Sequence, residues 1–360
     1  MSGGQTTVPG VQTFIPEKFW PGDRSEGVTQ HHKAEIEVGT PFEIAEDVFL
    51  LRLPLPFALN HINVYLIREG NGWVLIDCGV NTSKARDIWE ATIKKLGPLN
   101  RIIATHHHPD HIGLAGWLAD KFDILVLMTE GELEVVGRYS DPDRDIVAER
   151  SPLWCEHGLS AEQAVQLLDK MPRYTKLVTP LQNDRLQLID TTKVMSVGER
   201  RFKPIVGRGH CPEHLSLLDE TGEILVGGDQ VLPKITPNIA VWPGGDLNPL
   251  LSYFVTLQPF LEISPATLLL PSHHQPLYGT AARARQIYAH HDARLRALLD
   301  TCDRAMNACE LIPAWFGRPL REEEMGFGLG EMIAHLNYLE VEGYLVSRLT
   351  ESGVRTFEKS

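Results

Sequence analysis

The chain has 360 residues, 43% hydrophobic and 22% charged, proportions of a folded globular protein that exclude wholesale disorder, collagen-like repeats and coiled coil. Thirty-four Lys and Arg against 47 Asp and Glu leave a net charge of −13, which favours solubility and opposes long-range attraction to nucleic acid or an anionic membrane. The length fits two domains, or one large domain with an appendage.

No purely apolar run approaches the ~20 residues needed to cross a bilayer. The opening MSGGQTTVPG has neither the basic nor the apolar region of a secretory signal. The cytoplasm is the expected compartment, with no membrane association. Cys78, Cys155, Cys211, Cys302 and Cys309 form no C-x-x-C pair and read as reduced thiols.

Residues 1–40, rich in Gly, Pro, Thr and charge, read as an extended or loosely docked arm. From Asp47 short β-rich runs follow at 48–53, 62–68, 73–77 and 101–105, with Gly70-Asn71-Gly72 as the hairpin turn between the second and third. Helical spacing over 83–96 puts Ala85, Ile88, Trp89, Ile93 and Leu96 on one face, and a second helix is expected over 113–121 before a strand at 124–128. Residues 130–180 read as a helical insertion, clearest over 160–171, where Ser160 can cap. Strands resume at 186–189, 193–197, 201–206, 215–218 and 223–226. A helix near 250–261 and a strand at 267–270 complete a domain of about 41–280. The alternation in two halves predicts an α/β sandwich of two sheets with helices outside. Residues 281–360 read as helices followed by a hairpin turning at Ser352-Gly353, a winged-helix-like appendage.

The chemistry concentrates in Thr105-His106-His107-His108-Pro109-Asp110-His111-Ile112-Gly113, where a strand ends and a helix begins. Neutral imidazoles and carboxylates are good ligands for divalent zinc and also suit iron or manganese. Burying this many polar groups in one loop is costly without a cation. Further donors stand at later strand ends: His210 in GRGHCPEHLSL, Asp229 in ILVGGDQ and His273 in LLLPSHHQP.

This pattern, His-x-His-x-Asp-His followed by His, Asp and His, resembles the metallo-β-lactamase fold superfamily over about 47–278, in its glyoxalase II-like and lactamase-β-like branch. The resemblance implies an αββα sandwich. It puts His106, His108 and His210 on one metal and Asp110, His111 and His273 on a second, with Asp229 bridging. The family's final motif is usually Pro-Gly-His-Gly, where this chain has Pro271-Ser272-His273-His274; His273 is taken as the ligand. His107, His214 and His274 are expected to flank the ligands rather than bind.

The segment Tyr288-Ala289-His290-His291-Asp292-Ala293-Arg294, with the helices and hairpin after it, resembles the winged-helix appendage of the same branch, which includes hydrolases and endoribonucleases. Residues 281–360 hold ten Lys and Arg against twelve Asp and Glu, so packing or a homodimer is expected there rather than nucleic-acid binding. G-x-S-x-G, G-x-x-x-x-G-K-[ST] and H-E-x-x-H motifs are absent, and Gly326-Phe327-Gly328-Leu329-Gly330 reads as an ordinary turn.

The expected function is a dinuclear metal-dependent hydrolase, two divalent ions (zinc first, iron or manganese next) supplying a hydroxide that attacks an ester or thioester of a small acyl substrate. Asp110 is the candidate for orienting that hydroxide and handling a proton. The alternatives are a metal-dependent endoribonuclease or phosphodiesterase, and a mononuclear iron persulfide dioxygenase. The insertion is expected to form a wall over the metals, with Trp154 and Tyr174 lining an apolar acyl pocket.

Overall fold

The computed structural model describes residues 27–31 and 35–360. Most of the expected arm, 1–26 and 32–34, lies outside the described residues. Within the described part, β1 (Thr29–Gln30) is followed by the meander β2 (Phe42–Ala45), β3 (Val48–Pro54), β4 (His61–Glu69) and β5 (Gly72–Ile76). Helix α1 (Ser83–Leu96) then crosses to β6 (Leu99–Ile103), and the short α2 (Pro109–Ile112) and α3 (Ala115–Phe122) lead to β7 (Leu125–Met128). The helix expected over 113–121 therefore comes in two pieces and begins earlier, because Pro109 is tolerated in a first turn, where no backbone N–H is needed.

The insertion consists of α4 (Glu130–Ser140), α5 (Ile146–Glu156), α6 (Ala161–Lys170) and α7 (Tyr174–Leu177). Ser160 caps α6 as its sequence suggests: Gln163 N donates to Ser160 Oγ at 3.1 Å and Ser160 N donates to Gln163 Oε1 at 2.9 Å. Strands β8 (Leu186–Leu188), β9 (Met195–Val197), β10 (Arg200–Gly207), β11 (His214–Asp219) and β12 (Ile224–Gly228) precede α8 (Pro249–Leu257), β13 (Leu268–Pro271) and β14 (Leu277–Tyr278). The chain ends in α9 (Thr280–Thr301), α10 (Ala308–Phe316), α11 (Glu322–Val341) and the hairpin β15 (Leu345–Leu349) and β16 (Arg355–Lys359).

Two seven-stranded sheets result, ordered β2-β3-β4-β5-β6-β7-β8 and β1-β14-β13-β12-β11-β10-β9. Alternation along each strand fixes their stacking. On β3 to β5, Val48, Leu50, Tyr65, Ile67, Val74 and Ile76 meet Phe202, Leu215, Leu217, Ile224, Val226, Leu268 and Leu270 of the other sheet. The intervening Leu51, Leu53, Val64, Leu66, Trp73 and Leu75 face the layer of α1 and α3. Leu225 and Leu269 face outward to α8, α9 and α11. A one-residue slip would swap these faces, and each fully buried aliphatic side chain contributes roughly 1.5–3 kcal/mol, so register is strongly specified. The order is helices, sheet, sheet, helices.

The outermost core is continuous from the second sheet through α8, α9, α10 and α11 to the insertion, where Trp154, Leu159, Ala164 and Leu168 join it. Trp154, expected to line a substrate pocket, is instead wholly buried there and offers no surface to a ligand. Residues 326–330, expected as a turn, lie inside α11. Their glycines serve close packing: a Cβ at Gly326 would meet the Trp154 ring at 3.1 Å, and one at Gly330 would meet Ala240 Cβ at 2.9 Å. Among the described residues no helix is long and apolar enough to cross a membrane.

Candidate metal centre

The site is built at strand ends. Beyond β6 the chain runs through Thr105 into His106, His107 and His108, then turns into α2, which carries Asp110 and His111. His210 lies between β10 and β11, Asp229 follows β12, and His273 follows β13.

These seven side chains converge. His106 Nε2 is 2.8 Å from His108 Nδ1 and 3.3 Å from His210 Nε2. His273 Nε2 is 3.4 Å from Asp110 Oδ2, and His111 Nε2 is 3.8 Å from the same oxygen. Asp229 stands between the two groups, with Oδ2 3.6 Å from both His210 Nε2 and His111 Nε2, and Oδ1 3.5 Å from His273 Nε2. His106, His108 and His210 thus form one potential cation site, Asp110, His111 and His273 another, and Asp229 with His106 and His111 a third grouping between them.

The nitrogens facing away from this centre determine what the inner ones can do. His210 Nδ1 donates to the Asn238 carbonyl at 2.9 Å, and His273 Nδ1 donates to the His61 carbonyl at 2.8 Å. A carbonyl only accepts, so both rings present an Nε2 lone pair inward. Asp77 Oδ2 accepts from Thr105 Oγ1 at 2.8 Å, which turns the Thr105 oxygen into an acceptor for His106 Nδ1 at 3.0 Å. The same carboxylate oxygen takes His111 Nδ1 at 2.7 Å.

Electrostatics divide the centre in two. Burial first, then the neighbouring imidazoles, keep His106 and His108 well below the ordinary histidine range, and burial lowers His210 despite Asp229. These three rings are neutral at pH 7, as ligands must be. Burial also opposes protonation of His111 and His273, but the carboxylates around them prevail. Asp77, Asp110 and Asp229 hold His111 well above its usual range, and Asp229 and Asp110 bring His273 up to about 10. Asp110 is lowered to about 2 against the cost of its burial, by His111 and His273. This half of the centre favours a positive charge. Among the described residues, buried His111 Nε2 and Asp229 Oδ1 have no hydrogen-bond partner. Orphaned donors of these types, converging on one place, fit divalent cations.

Of the flanking histidines, His214 Nε2 accepts from Asp229 N at 2.9 Å. His107 turns away from the donors, its Nδ1 2.6 Å from Glu132 Oε2. His274 does not join the cluster; its backbone carbonyl accepts from Arg52 Nη2 and Asn63 Nδ2, each at 2.8 Å. Of the two adjacent histidines His273 therefore faces the donors. Tyr174 is buried and donates from its hydroxyl to the His107 carbonyl at 2.7 Å, so it braces the ligand loop.

Sequence reasoning missed Asp77 and Glu132. Asp77 ends a fully apolar strand in VLIDCG, which was a usable signal. Glu132 looks like an ordinary acid in a helix's first turn, yet it is wholly buried and accepts from His107 N at 2.9 Å and Glu213 N at 2.7 Å.

A four-layer sandwich carrying a His/Asp centre at its strand ends defines a class, and the chain belongs to the metallo-beta-lactamase superfamily, whose model matches residues 58–287. A metallo-beta-lactamase-like C-terminal domain matches residues 295–360. The particular relatives include the probable metallo-hydrolase YqjP of Bacillus subtilis (strain 168), 27% identical over 318 residues, covering 84% of this chain and 95% of YqjP. Among solved structures, a beta-lactamase domain protein from Burkholderia ambifaria is 34% identical with a TM-score of 0.83, covering 91% of this chain and 96% of that one. A metallo-beta-lactamase family protein from Thermus thermophilus is 27% identical with a TM-score of 0.74, covering 88% of this chain and 100% of that one.

Proposed function

We propose that the protein is a metal-dependent hydrolase holding two divalent ions, zinc in the first instance, and acting on an ester or thioester of a small acyl substrate. The observation that carries this is the convergence of seven donors, four of which (His106, His111, His210 and His273) have their outer ring nitrogen already committed to a protein acceptor. The superfamily membership and the name of the Bacillus relative support the hydrolytic reading. His106, His108 and His210 would hold one ion, Asp110, His111 and His273 the other, and Asp229 faces both. Held there, divalent ions would supply Lewis acidity, lowering the pKa of a bound water toward about 7 and polarising a substrate carbonyl.

The chain's own residues supply position and proton handling. Asp77 orients His106 and His111, and the Asn238 and His61 carbonyls orient His210 and His273. The Asp110 side chain is 18% exposed against 9% for Asp229, so it reaches the opening. As an ionised carboxylate it can take a proton at Oδ from an attacking water and return it to the departing alcohol or thiol. The acidic balance of the chain disfavours a polyanionic substrate. We further read the C-terminal helices and hairpin as a winged-helix-like unit used for packing or a homodimer, in a cytoplasmic protein.

The test is metal analysis of untagged protein followed by turnover of matched thioester, lactone and phosphodiester substrates. Thioester or ester hydrolysis dependent on the bound metal is expected. Turnover confined to phosphodiesters, or metal-dependent oxygen uptake with a persulfide, would replace this reading.

A further inference from the structure

A second polar cavity, of about 310 Å³, lies beside the metal centre and is walled by Gln30, Glu35, Arg52, His61, Lys234, His274 and Gln275. That volume is at the lower end of small-molecule sites. Its position is set by His273: the His61 carbonyl accepts from the ring of this proposed ligand, and His274 is its chain neighbour. The cavity therefore borders the outer side of His273, whose Nε2 faces the candidate metal centre.

Three observations mark it as a binding site. First, Arg52 is 4% exposed and has no carboxylate within ion-pair distance among the described residues. Its guanidinium donates to Asn63 Oδ1 at 2.9 Å, the Ile36 carbonyl at 3.4 Å and the His274 carbonyl at 2.8 Å. Among the described residues, two of the five N–H groups of this guanidinium remain without a protein acceptor. The direct partners of this buried cation are neutral oxygens, and Glu35 of the same wall acts on it only from beyond ion-pair distance, which leaves room for a second anion.

Second, His274 has φ 67°, the left-handed region that favours glycine. Its ring occupies the cavity wall, and Nε2 is buried with no partner among the described residues. The Gln275 amide oxygen is likewise buried without one, and the amide turned over would offer its NH2 to the same group. A strained backbone that holds an unsatisfied imidazole in a cavity suits a ligand clamp better than a packing role.

Third, Lys234 is exposed, and no ion pair or hydrogen bond engages its ammonium among the described residues. The loop presenting it is fixed from α9, where Arg283 donates to the Leu232 carbonyl at 2.6 Å and the Ile235 carbonyl at 2.9 Å. Against Arg52 and Lys234 the described wall carries a single acid, Glu35. One net positive charge, in a chain of net charge −13, matches a singly charged carboxylate better than a phosphate dianion.

We propose that this cavity is an anion-binding subsite that takes the free carboxylate of an acyl substrate whose ester or thioester carbonyl lies at the metal centre. The substrate class is thus a half-ester or half-thioester of a dicarboxylic acid, a reading that rests on the hydrolase proposed above. Arg52, Lys234 and the His274 ring bind the carboxylate, and substrates lacking it are handled less well.

The test has a binding arm and a turnover arm. Calorimetry on the metal-loaded protein measures glutarate and, separately, inorganic phosphate, in wild type, Lys234→Glu and His274→Gly. Glutarate should bind wild type more tightly than phosphate does. Its affinity should fall about tenfold or more in each variant, the loss of one hydrogen bond to a charged group. Circular dichroism and thermal melting confirm that both variants fold, and the exposed Lys234 side chain gives the Lys234→Glu variant little reason not to. In turnover, wild type should prefer the glutaryl over the valeryl thioester of N-acetylcysteamine in kcat/KM, and the ratio should fall about tenfold in Lys234→Glu. No glutarate binding to wild type, unchanged affinity in Lys234→Glu, or tighter binding of phosphate would overturn the proposal. Glutarate bound as expected with neither thioester turned over would count against the hydrolytic reading and leave the anion site standing.

Discussion

Glu132 is not one of the seven converging donors, yet it ties together the two loops that carry several of them. Its carboxylate takes the His107 backbone and ring and the Glu213 backbone, joining the loop of His106 and His108 to the loop of His210. His107 and its hydrogen bonds keep the buried carboxyl at about 2 in spite of the burial that works against it. Glu132→Ala strands these donors, and we expect a loss of about 3 kcal/mol in stability. Metal affinity should also fall about tenfold to a hundredfold, read by competition with a chelator. Unchanged affinity would reduce Glu132 to a packing residue. His274 makes the opposite prediction for stability: His274→Gly relieves a left-handed backbone and should raise the unfolding free energy by up to about 1 kcal/mol in denaturant titration. A loss of stability there would show that the ring is held by packing. At this scale the seven donors were legible because they recur at strand ends in a fixed order. Asp77 and Glu132 were not, since neither carries a spacing of its own and only the folded contacts reveal them.

Helix α11 shows what an element's pattern hides. Gly326, Gly328 and Gly330 suggest a turn by composition, but the helix needs them where Trp154, Leu320 and Ala240 press against its axis. A Cβ at Gly330 meets Ala240 Cβ at 2.9 Å and the Val241 carbonyl at 3.2 Å, atoms that cannot swing aside. Gly330→Ala should therefore destabilise by about 1–3 kcal/mol. Gly137, inside α4 with nothing within 4 Å, is the matched control, and Gly137→Ala should stabilise by about 1 kcal/mol. Melting curves of the two variants shifting in the same direction would contradict the packing argument. At the next residue, burial pushes the Glu331 carboxyl up to about 7, against the pull of Arg294 and a hydrogen bond from Asn238. A carboxyl held above its ordinary value of 4.5 binds its proton more tightly when folded. Its contribution is therefore full below about pH 4.5 and declines by up to ~3 kcal/mol as pH rises to 7. Glu331→Gln should flatten that decline in a series of melting curves from pH 5 to 8; an unchanged slope would contradict it. The strands and the capped α6 were readable from alternation and from Ser160. The second half of α11 was readable from its apolar spacing over 332–342, but the first half was not, because its glycines answer to partners far away in sequence, as Gly326 does to Trp154.

Across the whole molecule, four layers bring distant segments to one edge. The meander ending at β5 supplies Asp77, β6 leads to the histidine loop, and β12 and β13 deliver Asp229 and His273. Alternating apolar runs made the two-sheet sandwich legible, as periodicity carries facing information. The closing pair of β1 with β14 was not, since two-residue strands leave no pattern and depend on pairing between opposite ends of the domain. The C-terminal helices are also part of the site's support. Val241 N donates to the Gly330 carbonyl at 3.1 Å, holding the loop whose Asn238 carbonyl orients His210. Metal and fold should accordingly be coupled: chelation should lower the melting temperature, and re-addition of the ion should restore it.

The most direct test of the account is the metal content of untagged protein, measured by plasma mass spectrometry for wild type, Asp229→Ala and His107→Ala in parallel. Two ions per chain are predicted for wild type. Asp229→Ala should lose most of both, because its two oxygens face both donor groups, and His107→Ala should retain them more fully. A single ion in wild type, or loss in His107→Ala equal to that in Asp229→Ala, would contradict the two-ion centre on which the proposed hydrolysis depends.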